Sequence, residues 1–291
     1  MYKEIDLPIN IKLDAKSNSK VIRVGSIKNI VSFKSMIDKS IKFYSRNTQV
    51  LYFYLSDFSL LKTLSNLRYK GLNIIFDVNI KNITLLKEYK NILNNFNLTA
   101  VLDSSVKPNE IVSVVKFLSS LGVKSSITFD LFKTIDAKVM QNITKEIVLN
   151  PNLVKNVEPF FSFVNYIYEK KIKKEISQTL WDTFKDKLEE FFYVTSDGFV
   201  TLSKRWDKRS KYFYNLQEPK EKRHSSEFYK ELDSYEQNLF FKNLECAMCE
   251  SFEYCGAYLK FEDGKYECSS FQAMLKEIDE NFDIFKVSKA A

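Results

Sequence analysis

No cysteine precedes Cys246 in this 291-residue chain, so no thiolate chemistry is available to its first five-sixths. Histidine is represented once, by His224, which leaves a single candidate imidazole base and excludes any centre built on paired histidines. A surface position is the ordinary reading of that residue. With six glycines there is neither a G-x4-G-K-S/T phosphate loop nor a G-x-G-x-x-G dinucleotide turn. No apolar run approaches the ~18 residues of a membrane span. The start, Met1-Tyr-Lys-Glu-Ile-Asp-Leu-Pro8, has no apolar core of a signal peptide. The expectation is a soluble, cytoplasmic protein without a membrane partner.

Hydrophobic residues are plentiful instead, at 45%, enough for a packed interior in a chain long enough for two domains or one elaborated one. Lys and Arg exceed Asp and Glu by 44 to 37, a net charge of +7 spread along the sequence. The densest basic stretch holds Lys204, Arg205, Lys208, Arg209, Lys211, Lys220, Lys222 and Arg223, interleaved with Trp206, Tyr212, Phe213 and Tyr214. Such a stretch suits an acidic peptide or a nucleic-acid backbone. Asp207, Glu218 and Glu221 interrupt its field, however, so a solvated loop is the favoured reading and nucleic acid is not the expected partner.

The first two-thirds alternates strands with helices. Strands are expected at Val21–Val24, Gln49–Leu55, Leu72–Val78, Leu98–Leu102 and Val123–Phe129, with a last extended segment at Val157–Phe163. Helices are expected at 30–44, 58–69, 83–96, 108–121 and 137–149, and Gly71 and Gly122 fall at matching helix-to-strand turns. Repeated βα units imply a parallel sheet covered by helices, open or closed into part of a barrel. Asp57, Asp77, Asp103 and Asp130 stand at strand ends, where α/β proteins bind ligands, although caps and turns are the commoner use of such residues. A charged helical stretch from Tyr166 to Phe192 leads to apolar runs either side of Asp197-Gly198, a hairpin signal. Then come a helix from about Ser226 to Asn243, a second hairpin signal at Asp263-Gly264, and a C-terminal helix from Phe271.

All four cysteines fall together as Cys246-Ala-Met-Cys249-Glu-Ser-Phe-Glu-Tyr-Cys255-Gly256, closed by Cys268. Thiolates so grouped suit an iron–sulfur cluster or a structural zinc, and the C-x2-C pair puts two sulfurs within reach of one ion. Disulfides are a third option, but nothing else in the sequence points to an oxidising compartment. Four apolar buried thiols are the remaining alternative.

In its order of parts the chain resembles the radical-SAM enzymes that carry a C-terminal SPASM domain. Cys246, Cys249 and Cys255 match that domain's C-x2-C-x5-C spacing, and Gly256 matches the glycine that follows the third cysteine. Leu259 occupies the next ligand position, and the G-x4-C element reads Gly198 to Ser203, with serine in place of cysteine. The resemblance implies that the four ligands of the distal auxiliary cluster, Cys246, Cys249, Cys255 and Cys268, are kept while the proximal site is lost. The radical-SAM C-x3-C-x2-C loop is missing, and Leu55-Ser56-Asp57-Phe58 stands where the family has Gly-Gly-Glu, so S-adenosylmethionine is not expected to bind.

The fold so implied is α/β: a degenerate partial (β/α) barrel of radical-SAM type over residues 1–190, then a small cysteine-rich SPASM-like α+β domain over 191–291. The implied cofactor is one 4Fe–4S cluster, with zinc as the alternative, and no residue is assigned a catalytic role. The implied function is accessory: binding a ribosomally made precursor peptide, a partner peptide maturase, or both. A non-radical enzyme of peptide maturation with a structural four-cysteine site is the alternative.

Overall fold

The computed structural model describes residues 19–24, 34, 38, 50–55, 60–78, 83–176, 179–182, 193–194, 199–201, 214–215 and 227–284. Among the described residues nine strands run in chain order: β1 Ser19–Val24, β2 Val50–Leu55, β3 Asn73–Asp77, β4 Asn97–Leu102, β5 Lys124–Ile127, β6 Val157–Glu158, β7 Tyr193–Val194, β8 Phe199–Thr201 and β9 Tyr214–Asn215. The chain separates into two compact units, each made of two segments. The first is 1–75 with 182–247, and the second is 76–181 with 248–291. No helix among the described residues is long and apolar enough to cross a membrane.

In the first unit β1 pairs in parallel with β2, from Ser19 opposite Val50 to Val24 opposite Leu55. On its other side β1 pairs in parallel with β7 at Val21 and Tyr193. From there the ladder turns antiparallel, β7 with β8 and β8 with β9. The β7–β8 pairing is the arrangement expected of the apolar runs flanking Asp197-Gly198, which themselves lie outside the described residues. The expected helix at 58–69 forms as Leu60–Asn66, with Leu61 and Leu64 fully buried.

The second unit is the α/β part. Its strands β4, β5 and β6 lie side by side in sequence order, and β4–β5 and β5–β6 are parallel. Helical crossovers join β4 to β5 and β5 to β6, as parallel neighbours require. Burial along β4 alternates from Asn97 to Leu102, with Leu98, Ala100 and Leu102 inside. The helix Ile111–Ser120 turns Ile111, Val115 and Leu118 into the core. It stops because Gly122 takes φ +73°, a backbone conformation only glycine adopts without cost, whereas in the first unit Leu60–Asn66 ends at Arg68, φ +62°, ahead of Gly71 at +68°. Asp136 caps Ala137–Val148 by accepting the Val139 N–H at 2.9 Å.

Three expectations are corrected. The segment 83–96 begins as a 3-10 helix, Ile83–Tyr89, and only Lys90–Leu93 is α-helical. The last extended segment is a strand for two residues only, because Phe160, Phe163, Val164 and Ile167 repeat at helical spacing and form the helix Phe160–Tyr168. Asp263-Gly264 makes no hairpin. It is a tight turn in which the Asp263 carboxylate accepts the Lys265 N–H at 3.1 Å and its carbonyl accepts the Tyr266 N–H at 3.0 Å. The turn joins two helices, Tyr258–Glu262 and Ser269–Glu280.

The helix Ser269–Glu280 closes this unit by packing along Ala137–Val148. Phe271, Met274 and Ile278 are almost wholly buried there, each worth roughly 1.5–3 kcal/mol. Gln141 donates to the buried Glu277 carboxylate at 3.0 Å, which in turn accepts from Asn281 at 2.9 Å. Lys170 pairs with Glu253 and Lys171 with Asp279, both at 2.8 Å. These exposed pairs set register more than stability.

Candidate metal site

The cysteine stretch is a string of single helical turns: Leu244–Ala247, Phe252–Cys255 and Tyr258–Glu262, ahead of the long helix Ser269–Glu280. Cys246 is buried in the first turn and belongs to the first unit. Cys249, Cys255 and Cys268 belong to the second. No disulfide joins any of the four.

Two thiols of the second unit lie at the start of the helix Ser269–Glu280. Cys268 is its N-cap, held at φ +61°, in the left-handed region where a side chain is disfavoured. Its Sγ donates to the Tyr266 carbonyl at 3.6 Å, so its side chain does not cap the helix. The Tyr266 hydroxyl lies 2.6 Å from Ser270 Oγ in the first turn. Cys249 is half-buried and accepts from Gln272 Nε2 at 3.5 Å, one turn inside the helix.

Burial, as the main cause, pushes the Tyr266 phenol up to about 12, against the pull of its bond to Ser270. Next to the buried Cys255 in sequence stands an aromatic cluster. Tyr254 stacks on Tyr166 with ring centres 3.8 Å apart and meets Phe163 edge-on at 5.4 Å. Burial, followed by the Glu158 carboxylate, raises the Tyr254 phenol far above its ordinary range.

The chain leaves Cys255 through two successive left-handed residues, Gly256 at φ +56° and Ala257 at +63°. A Cβ on Gly256 would lie 2.7 Å from the Cβ of Trp181 and 3.1 Å from Thr179 Oγ1. Trp181 is buried and packs edge-on against Phe261. Glycine after the third cysteine thus has a steric cause. Leu259, at the next ligand position of the SPASM pattern, is buried and faces the apolar core.

No disulfide joins the four thiols, but among the described residues no three His, Cys, Asp or Glu side chains stand together in a geometry that would hold one ion, so the thiols as placed do not fit a bound metal. The other candidates are placed less informatively. Asp103 accepts the Ser105 N–H at 2.9 Å in a turn, and Asp130 pairs with Lys133 at 3.6 Å; both are local uses. His224, Asp57, the 56–58 stretch, Ser203 and the basic residues from Lys204 to Arg223 lie outside the described residues. Sequence reasoning missed Tyr266 and Gln272; their offsets from Cys268, two residues before and one turn after, were the available signal.

Compared with protein-family models, with curated proteins and with solved structures, the chain matches none.

Proposed function

We propose that this protein is a degenerate relative of the radical-SAM/SPASM enzymes, holding one auxiliary-type 4Fe–4S cluster and acting as an accessory in ribosomal peptide modification. In this reading the parallel βα units are the remnant of a partial barrel, and the cysteine stretch is the remnant of a SPASM-like domain. What supports it is that Cys268 stands at the N-cap of the helix Ser269–Glu280 and Cys249 Sγ accepts from Gln272 one turn inside it. Cys246 and Cys255 join them on their C-x2-C-x5-C spacing alone. A bound cluster supplies either a staple for the fold or a station for one-electron transfer.

What the chain's own residues do is bind. An extended peptide would add to a free strand edge, β9 in the first unit or β6 in the second, taking affinity from backbone hydrogen bonds. The surplus of basic residues favours a peptide of acidic character by speeding encounter. With no C-x3-C-x2-C loop there is no iron left open for S-adenosylmethionine, so the precursor is presented to a partner maturase in the cytoplasm rather than modified here.

Anaerobic purification of the full chain with iron, sulfide and zinc analysis tests the centre. Stoichiometric iron and sulfide are expected, and a colourless protein with one zinc would sink the cluster. Affinity capture from the native organism tests the role. A short precursor peptide or a peptide-modifying enzyme should co-purify, and recovery of neither would overturn the accessory reading. After reconstitution, 5′-deoxyadenosine should not form above a no-protein control.

A further inference from the structure

No further inference is drawn: the strongest candidate, the exposed apolar patch of Phe241 and Leu244 on the single-turn helices Leu239–Lys242 and Leu244–Ala247 of the first unit, carries nothing because nothing among the described residues shows what covers it.

Discussion

The α-carbon of Gly256 faces the Cβ of Trp181 so closely that an added methyl group would sit 2.7 Å from it. The glycine is also at φ +56°, so the position excludes side chains on two independent grounds. Gly256→Ala should therefore destabilise the second unit by about 2 kcal/mol or more, combining left-handed strain with overpacking. Urea unfolding followed by Trp fluorescence would show it, because Trp181 is the neighbour displaced. A midpoint equal to wild type would mean that the 255–257 turn is not held as described.

Cys268 presents the opposite situation, a side chain in a conformation that suits glycine. In metal-free protein Cys268→Gly should be more stable than Cys268→Ala by about 1 kcal/mol, since only the alanine retains the left-handed penalty. Neither variant should bind cobalt with a full set of four thiolates. Thermal melts of the two variants side by side, with and without metal, separate the backbone effect from the ligand effect.

Tyr254, next to Cys255 in sequence, belongs to the aromatic cluster. Tyr254→Ala should cost about 3–5 kcal/mol, in the range for emptying a large aromatic from a core. Tyr254→Phe keeps the stack on Tyr166 and should cost far less. Chemical denaturation of the pair checks this, and equal losses would show that the hydroxyl rather than the ring is what matters.

Alkaline pH should weaken the fold. Folding raises the Tyr266 phenol from 10.0 to about 12, and it raises Tyr254 and Tyr166 as well, burial being the leading cause each time. A group whose pKa is raised in the folded state binds its proton more tightly there. The tyrosines thus contribute no pH dependence well below 10, and stability is lost as pH climbs through the window from 10 to about 12. Thermal midpoints measured from pH 8 to 11.5 should be level at first and then fall. Tyr266→Phe should make the fall shallower by one tyrosine's share without moving its onset, because the other raised tyrosines start from the same unfolded value.

Much of this architecture was legible from residue order. Val50–Leu55 and Asn97–Leu102 read as strands because their apolar character was unbroken or cleanly alternating, and Gly71 and Gly122 marked the turns before β3 and β5. Val157–Phe163 misled because a short apolar aromatic run has no period of its own until Val164 and Ile167 extend it to a helical repeat. Asp263-Gly264 misled because the dipeptide specifies a turn and not what the turn joins; the flanking residues pack as helices against a core that local sequence does not encode. At the candidate site, spacing made the cysteines a group. That Gln272 meets Cys249 depends on a contact across the fold, which spacing does not encode.

The second unit is assembled from two lengths of chain with the whole of the first unit's second segment between them. On the ribosome, the helix Ala137–Val148 emerges long before Ser269–Glu280, the helix that packs along it. At about 5–20 residues per second, several seconds of synthesis separate them. During that interval Gln141 lacks Glu277 and the sites that receive Phe271 and Met274 stay open. Closure of this core therefore waits until the whole of 182–247 has been made.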